Sequence, residues 1–400
     1  MNNKTFFANR IQQVQSSAIF EINMQASILK KQGKEIINLG AGELDANIPK
    51  FIKEAAINAI NQNYNKYTPV SGCQELLEAI SQKFQRENKL IFATNEIIAS
   101  TGAKQAIFNL FMSILNADDE VIIPAPYWLS YIDMAKLTEA KPVVIASNFA
   151  NKYKISAIQL EKAITNKTKL FVFNNPNNPS GQFYNKQEMI ALLQVLRKYP
   201  QIIIMTDDIY EHFMWQEKFS NLLNVAQDSG MFAEFKDRVI IINGVSKAYA
   251  MTGWRLGYAA ANANIISKMK TIQSQSTSNP CIITQQAVIS ALHGNQQCVS
   301  NFATQLNKRH DLLYKFLNNL PLIKIHKSVG TFYMLLDVNQ LLQERKLSSD
   351  YDLAKMLLTE LGIVVIPGSI FGMPNTIRVS YANSIIEIEK AIHKIQKFIC

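Results

Sequence analysis

The strongest constraint on the fold is a repeated alternation of short apolar runs with amphipathic helical patterns in the middle of the chain. The apolar runs are continuous, which is typical of strands that are buried on both faces of a sheet. The alternation therefore predicts an α/β fold in which helices cover a mostly parallel sheet. The predicted strands are EIIAS, EVIIP, KPVVIA, KLFVFNN, QIIIMTD and VIIINGV.

A different pattern begins after about residue 260, where two long helical segments are followed by three further strand candidates. The helices are CIITQQAVISALHG and VSNFATQLNKRHDLLYKFLNNL, and the strands are GTFYMLLDV, GIVVIPG and TIRVSYA. The final segment, SIIEIEKAIHKIQKFIC, predicts a closing helix. Because 400 residues are more than one core usually holds, we expect a large domain and a smaller α/β domain.

Charge and cysteine usage exclude several classes of function. The formal net charge is +10, but the basic residues are spread along the chain, so we expect no nucleic-acid partner. Four cysteines and five histidines are scattered without metal-ligand spacing, and we expect no metal. No apolar run approaches the ~18 residues of a membrane span. The first residues lack the pattern of a secretory signal, so a cytoplasmic protein without a membrane partner is expected.

Polar and aromatic groups follow the predicted strands, at the sheet edge where open parallel sheets bind ligands. Considered singly, each group has an ordinary structural explanation. A strand-to-helix glycine can form a tight turn or hold a phosphate, and a tryptophan can pack or stack on a ring. The groups are Thr101 to Lys104, Ala125 to Trp128, Pro176 to Gly181, Asp207 to Tyr210, and Ser246 with Lys247.

Lys247 is the most informative of these residues. It lies in SKAYAMTGWRLGY, directly after the apolar run VIIINGV, with Arg255 eight residues later. Burying an ammonium group is costly unless something compensates its charge. A lysine that follows a buried strand and lies in a partly closed site is therefore expected to have a chemical role.

Taken together, the motifs resemble the fold-type I enzymes that use pyridoxal 5'-phosphate (PLP). They are most similar to the class I aminotransferases, in particular to bacterial aspartate aminotransferases. The resemblance covers most of the chain and rests on motifs in the family's order, namely KYTPVSG, GAKQAIFNLF, PAPYWLSY, NNPNNPSG, TDDIYEHF, SKAYAMTGWRLGY, GTFYMLLDV and IRVSYA.

The resemblance implies a PLP-dependent transferase fold of type I, with a mostly parallel sheet of seven strands in the large domain. It also implies the domain boundaries. Residues 1–48 would pack with the small domain, residues 49–295 would form the large PLP-binding domain, and residues 296–400 would form the small C-terminal domain.

The resemblance also implies three catalytic residues. Lys247 would form a Schiff base with the cofactor and then move a proton at the substrate α-carbon. Asp207 would pair with the protonated pyridine nitrogen of the cofactor. Tyr210 would donate a hydrogen bond to the ring oxygen, and the pKa of the imine would thereby be lowered.

The remaining roles follow from the same resemblance. Trp128 would stack on the ring, and Asn178 would contact the ring oxygen. Tyr67 would reach the phosphate of a neighbouring subunit, which implies a homodimer with shared sites. Arg378 would bind the substrate α-carboxylate, and Gly42 would let the backbone approach the substrate beside Trp128 and Asn178. The phosphate would be held by the backbone of Gly102, Ala103 and Lys104, by Ser246 and by Arg255.

The sequence departs from the family where the substrate side chain is expected to bind. Leu44 and Ala46 replace a proline and an aromatic residue in LGAGELDANIP, and the preceding loop is a few residues shorter than usual. No arginine or lysine can be assigned to a second substrate carboxylate from the sequence. An apolar pocket with residues such as Ile19 and Phe20 would suit an apolar substrate instead.

The sequence thus predicts an aminotransferase that moves an amino group from an L-amino acid to 2-oxoglutarate by a ping-pong mechanism. Aspartate is the favoured donor. An aromatic or broad specificity stays open, and a PLP-dependent carbon–sulfur lyase of the same fold is a further alternative. A transcription regulator is not expected, because no helix-turn-helix pattern precedes the fold.

Overall fold

The computed structural model describes residues 6–14, 18–216 and 218–399, except for the side chains of residues 18–20 and 399. The helices are α1 (Asn9–Gln12), α2 (Ala18–Lys31), α3 (Lys50–Asn61), α4 (Gln74–Lys83), α5 (Ala103–Ile114), α6 (Ser130–Leu137), α7 (Ala157–Ala163), α8 (Lys186–Arg197), α9 (Leu222–Asp228), α10 (Phe232–Phe235), α11 (Ala263–Ser274), α12 (Ile282–His293), α13 (Gln297–Leu317), α14 (Asn339–Glu344), α15 (Asp350–Met356) and α16 (Ile385–Ile399). Helices α4 and α15 continue as π-helical turns over Phe84–Asn88 and Leu357–Leu361. Short 3₁₀ turns lie at Thr94–Glu96, Thr252–Trp254 and Gly368–Phe371.

The strands form three sheets, of which the largest has seven strands in the order β2-β8-β7-β6-β5-β3-β4. The strands are β1 (Ile37–Asn38), β2 (Ile97–Ser100), β3 (Glu120–Pro124), β4 (Lys141–Ile145), β5 (Thr168–Asn174), β6 (Ile203–Asp207), β7 (Val239–Gly244), β8 (Gly257–Ala260), β9 (Lys324–Ile325), β10 (Tyr333–Asp337), β11 (Ile363–Val364), β12 (Ile366–Pro367) and β13 (Thr376–Ser380). In the large sheet only the pairings of β8 are antiparallel. The predicted mostly parallel seven-stranded sheet is confirmed.

Both faces of this sheet are covered, which explains why its strands read as continuous apolar runs. In β7, Val239 and Ile241 pack into one hydrophobic cluster, whereas Ile240 and Ile242 pack into another. Alternate side chains of a strand point to opposite faces, so a strand between two layers of helices needs apolar residues at every position.

Strand β8 is the element of the large sheet that no apolar run predicted. Its four residues, GYAA, are all buried, but they include no β-branched residue. A side chain on Gly257 would overlap the backbone of Ala103, so the strand can lie against the start of α5 only with glycine there. This close approach brings Arg255 beside the turn at Gly102.

The carboxyl ends of the central strands lie level with one another. Asn174 of β5 is paired with Asp207 of β6, and Asp207 is paired in turn with Ile242 of β7. The chain leaves β7 at Gly244 and reaches Lys247 three residues later. This register places the predicted polar residues at a single edge of the sheet.

The C-terminal part forms an antiparallel sheet in the order β12-β13-β10-β9, and a separate parallel pair joins β1 to β11. The run GIVVIPG was expected to form one strand but is divided between β11 and β12. The reason is a change of partner around Val365, since Ile363 pairs with Ile37 whereas Ile366 pairs with Arg378.

The domain boundaries at residues 48 and 295 stay a prediction. None of the described helices is long and apolar enough to cross a membrane.

Candidate active site

A cavity of about 480 Å³ lies at the carboxyl edge of the large sheet. Most of the residues that the sequence singled out line it, namely Gly42, Ala103, Lys104, Trp128, Asn178, Asp207, Tyr210, Ser246, Lys247, Arg255 and Arg378. The loop Gly40 to Glu43 and the strand residue Arg378 complete the wall from the other side. The cavity is large enough for a small ligand, and its lining combines polar and apolar groups.

Lys247 is a half-buried amine with a lowered pKa. Its Nζ donates a hydrogen bond to the carbonyl oxygen of Gly42 at 2.5 Å. Burial and the nearby Arg378 lower the pKa of Lys247 from its ordinary value of 10.5 to about 8. A larger fraction of the group is therefore neutral near physiological pH, and only the neutral amine can attack a carbonyl carbon.

Asp207 supplies a buried carboxyl group at the end of β6. The hydroxyl of Tyr131 donates to its Oδ2 at 2.5 Å, and the backbone N–H of Ile209 donates to its Oδ1 at 3.3 Å. Burial raises the pKa of Asp207, although these two hydrogen bonds act in the opposite direction. A buried carboxyl of this kind is ready to pair with a cationic group inside the cavity.

The start of α5 and Arg255 form a pocket for an anion. Gly102 has a φ of 85°, and a side chain there would overlap the guanidinium of Arg255. Nη1 of Arg255 is held by the carbonyl oxygen of Thr252 at 2.8 Å, and Ser246 lines the same cavity. The free N–H groups and the dipole of a helix N-terminus, together with a guanidinium, favour a phosphate.

Arg378 is a buried guanidinium on β13 that is fixed in position by several contacts. Its Nη1 donates to Oδ1 of Asn178 at 2.9 Å, and its Nη2 donates to the carbonyl oxygen of Gly40 at 3.0 Å. The rings of Tyr333 and Phe371 lie 4.2 and 4.9 Å from its central carbon. Nε has no partner among the described residues. A planar, oriented guanidinium is suited to a carboxylate ligand.

The cavity residues that sequence reasoning missed include Tyr131, Asn174 and Tyr333, whose side chains hydrogen-bond within the site. Asn174 accepts a hydrogen bond from the backbone N–H of Asn178 at 2.8 Å and donates to the carbonyl oxygen of Asp207 at 2.9 Å. Tyr210 donates to the hydroxyl of Tyr333 at 3.3 Å. All three lie in apolar or motif segments already quoted, but their side-chain directions could not be read from the sequence.

Trp128 and Lys104 lie side by side in the wall of the cavity. The Trp128 ring meets Tyr131 edge to face, with centroids 5.3 Å apart. The ammonium of Lys104 lies 4.9 Å from a ring centroid of Trp128. Partial burial, with the positive charge of Arg255 nearby, lowers the pKa of Lys104. This lysine therefore faces the same space as the other candidate residues, although its side chain is exposed.

Two of the predicted residues do not line the cavity. Gly102 lies beneath Arg255, and Tyr67 is 91% exposed on the surface of the chain. The side chains of Ile19 and Phe20, which were considered for an apolar pocket, lie outside the described residues. The single chain thus brings together the remaining site residues but not Tyr67.

Comparison with known proteins gives the family. The model of the family "Aminotransferase class I and II" matches residues 34–395. The chain is 44% identical over 395 residues to an aspartate/prephenate aminotransferase of Nitrosomonas europaea. This alignment covers 97% of this chain and 98% of the relative. Two solved structures are also similar. The aspartate aminotransferase of Rhizobium meliloti matches with a TM-score of 0.91 at 38% identity and covers 97% of each chain.

The second is the aspartate aminotransferase of Thermus thermophilus with maleate, with a TM-score of 0.90 at 35% identity. It covers 98% of this chain and 99% of that one. The matches to these relatives extend over nearly the whole length of both chains in each case. The chain therefore belongs to the class I and II aminotransferase family, and it is an aminotransferase.

Proposed function

We propose that this protein uses PLP to move the amino group of aspartate to 2-oxoglutarate by a ping-pong mechanism. The observation that carries the proposal is the arrangement of Lys247, whose lowered pKa favours the neutral amine, in one cavity with Asp207 and the anion pocket at α5. An amine, an acid and a phosphate site in a single cavity are what the aldehyde, ring nitrogen and phosphate of PLP require.

The described residues fit this cofactor. Its phosphate would bind at the N-terminus of α5 with Ser246 and Arg255, where the side-chain-free Gly102 leaves room for the guanidinium. Asp207 would face the ring nitrogen, and Trp128 would lie against the ring. When bound, PLP supplies an electrophilic carbonyl and a ring that accepts electrons. Tyr210 and Asn178 line the same cavity and offer polar groups to the ring oxygen.

The protein's own contribution to the reaction centres on Lys247. Its neutral amine would be the nucleophile that holds the cofactor and, when free, the base that takes a proton from the α-carbon of the amino acid. The carbonyl oxygen of Gly42 lies 2.5 Å from Nζ and orients the free amine in the cavity. The carboxyl group of Asp207 lies buried at the end of β6, where its ionised form would stabilise a positive charge in the cavity.

The cavity lining has four cationic side chains and two acidic ones, Glu43 and Asp207, and this excess of positive charge favours a substrate with two carboxylates. Among the described residues that line it, the cationic side chains are Lys104, Lys247, Arg255 and Arg378. Lys247 and Arg255 have roles with the cofactor, and the oriented guanidinium of Arg378 suits the α-carboxylate. Lys104 is then left for the second carboxylate of aspartate. The Thermus thermophilus relative was solved with maleate, which is a dicarboxylate.

Prephenate is a second candidate acceptor. The Nitrosomonas europaea relative is named an aspartate/prephenate aminotransferase, and prephenate also carries a 2-oxo acid and a second carboxylate. The same pair of cations, Arg378 and Lys104, could bind both carboxylates of either acceptor.

Parallel assays of purified holoenzyme test the proposed function. Aspartate, phenylalanine, tyrosine and alanine are each supplied with 2-oxoglutarate, and aspartate is also supplied with prephenate. We expect glutamate to form fastest from aspartate. A faster reaction with the aromatic donors would overturn the assignment of aspartate. Absence of glutamate with every donor, together with pyruvate and ammonia from cysteine-like substrates, would indicate the lyase instead.

Replacing Lys104 with glutamine tests its proposed role. We expect kcat/KM for aspartate to fall about 10- to 100-fold, because a charge-assisted hydrogen bond contributes about 1.5–3 kcal/mol. The value for alanine, which has no second carboxylate, should change less than threefold. Steady-state kinetics with both donors measure the difference. Equal losses for aspartate and alanine would show that Lys104 does not bind the second carboxylate.

We also propose a homodimer with shared sites, on the basis of the 91% exposure of Tyr67 and the exposed apolar residues Ile57 and Ile60 of the preceding helix α3.

Loss of Tyr67 should weaken PLP binding about 10-fold or more, since its hydroxyl would donate a hydrogen bond to a charged phosphate. If Tyr67 serves the partner subunit, coexpression of Tyr67→Ala and Lys247→Ala chains yields heterodimers with one intact site. We expect their activity at low PLP to exceed the average of the two separate variants. An activity equal to that average would contradict shared sites.

A further inference from the structure

Lys83 is an unusual lysine because it is buried almost completely, at 1% exposure, outside the cavity. It ends helix α4, and its Nζ donates to Oδ1 of Asn88 at 2.9 Å and to Oε1 of Glu211. Glu87 lies 3.5 Å away. A lysine is almost never fully buried unless it is paired. The pair of Lys83 and Glu211 therefore needs an explanation in terms of what it holds in place.

Glu211 connects the two chain segments that carry the candidate catalytic residues. It directly follows Tyr210, and it accepts hydrogen bonds from Nδ2 of Asn88 at 2.8 Å and from Nδ2 of Asn243 at 2.6 Å. Asn243 belongs to the end of β7, four residues before Lys247, and its Oδ1 accepts from the backbone N–H of Gly244 at 2.7 Å. One carboxylate thus links the turn after β6 to the chain leading to Lys247.

The ammonium of Lys83 keeps this carboxylate charged among other acidic groups. Burial acts to raise the pKa of Glu211, but Lys83 and His212 lower it below its usual range. The neighbouring Asp208 shows the opposite result, since burial and the charge of Glu211 raise its pKa well above the usual range. Without Lys83, Glu211 would lose the ammonium that contacts it directly and keep only the more distant His212. Its carboxylate, which accepts hydrogen bonds through both oxygens, would then be less strongly favoured over the protonated form.

A metal ion is the other explanation to consider. Glu87, Glu211 and His212 place potential ligand atoms within 4.8 Å of one another. The ammonium of Lys83 already contacts Glu211 and lies near Glu87, so it supplies the positive charge that an ion would bring. The cluster is therefore assigned to an ion pair.

We propose that the buried pair of Lys83 and Glu211 is a positioning device of the active site. Through Asn243 it holds the turn that carries Asp207 and Tyr210 at a fixed distance from the chain that carries Lys247. The pair does not line the cavity and acts only through these residues. The inference rests on the proposed function, since it concerns the geometry of the proposed PLP site.

The test compares Lys83→Met, Glu211→Gln and the double variant with an unchanged holoenzyme. A single change leaves one buried charge without its partner, which lowers stability strongly, whereas removing both charges is often nearly neutral. A glutamine has one acceptor oxygen where glutamate has two, so it cannot accept from both Asn88 and Asn243 in the original geometry. We expect the double variant to regain thermal stability relative to Lys83→Met, while its kcat stays about 10- to 100-fold below the unchanged enzyme.

Three measurements separate positioning from simple stabilisation. They are the thermal midpoint of the apoprotein, kcat against KM for aspartate, and the pH midpoint of the visible absorbance of the bound cofactor. The matched control is Arg238→Met, which removes a buried cation that binds the carbonyl oxygens of Leu196, Tyr199 and Ile202 next to the opposite end of β7. This control should lose stability without a change in the absorbance midpoint.

The Lys83 and Glu211 variants are compared with Arg238→Met at an equal decrease in the thermal midpoint. A shifted absorbance midpoint and a lowered kcat in the Lys83 and Glu211 variants, beyond those of Arg238→Met, would support the proposal. Changes no larger than those of the control, or recovery of kcat together with stability in the double variant, would overturn it. If the unchanged holoenzyme forms no glutamate from any donor, the proposed function fails, but the absorbance midpoint and the dissociation constant for PLP still test the pair.

Discussion

Replacing Lys247 with alanine is expected to lower kcat for transamination at least about 10³-fold, because one amine serves both as nucleophile and as proton carrier. Its Nζ lies 2.5 Å from the carbonyl oxygen of Gly42, in the cavity where the cofactor would bind. The measurement is single-turnover kinetics of the variant with aspartate, together with mass spectrometry after borohydride reduction in the presence of PLP. The variant should carry no covalent cofactor at this position.

Lys270→Ala provides the matched control, since Lys270 of α11 is also partly buried with a lowered pKa but lies outside the cavity. It should retain both activity and covalent labelling at Lys247. The apoprotein gives a second readout through pH. With a pKa of about 8, the rate at which Lys247 captures PLP should rise as pH increases through 8, because deprotonation produces the nucleophile. A rate that rises only near the ordinary value of 10.5, or covalent labelling in Lys247→Ala, would contradict the assignment.

The second large effect is expected for Asp207→Asn, which keeps the size of the side chain but removes its charge. Loss of one partner from a buried ion pair costs about 3–5 kcal/mol, and a loss of this size in the transition state corresponds to about 10²- to 10⁴-fold in kcat. The amide would also face the hydroxyl of Tyr131 and the N–H of Ile209, which now donate to the carboxylate. Steady-state kinetics and the dissociation constant for PLP should both show the loss.

The adjacent Asp208 is the control for this change. It is equally buried, but burial and the charge of Glu211 raise its pKa well above the usual range. Its side chain accepts a hydrogen bond from Asn221 and does not line the cavity. Asp208→Asn should therefore change kcat less than tenfold. Similar losses for both variants would show that the charge of Asp207 has no special role.

Much of the site was predictable because it follows a rule about strand ends. Asn178, Asp207 and Lys247 lie at or just beyond the ends of β5, β6 and β7. Parallel strands with level carboxyl ends bring such residues together. Gly102 and Arg255 were identified in the same way, from a glycine after a strand and an arginine within the lysine motif. These assignments use only residue type and order along the chain.

Other parts of the site depend on contacts between distant segments. Tyr131 and Tyr333 lie in quoted motifs, yet only the packing of α6 and β10 shows that their hydroxyls reach Asp207 and Tyr210. The role proposed for Lys104 depends on its position over Trp128, 24 residues later in the chain. Periodicity and motif spacing contain no information about such side-chain directions.

The sequence by itself determined the α/β architecture and the mostly parallel sheet, because apolar periodicity acts locally along the chain. The role of Lys247 is a prediction from the resemblance of its motif to the family. The tertiary structure decided the rest. It placed the small-residue strand β8 between β2 and β7, divided GIVVIPG between two sheets, and paired the buried Lys83 with a glutamate 128 residues away. The free energy of a buried charge or of a strand without β-branched residues depends on the partner that it meets, and that partner is chosen only when the whole chain has folded.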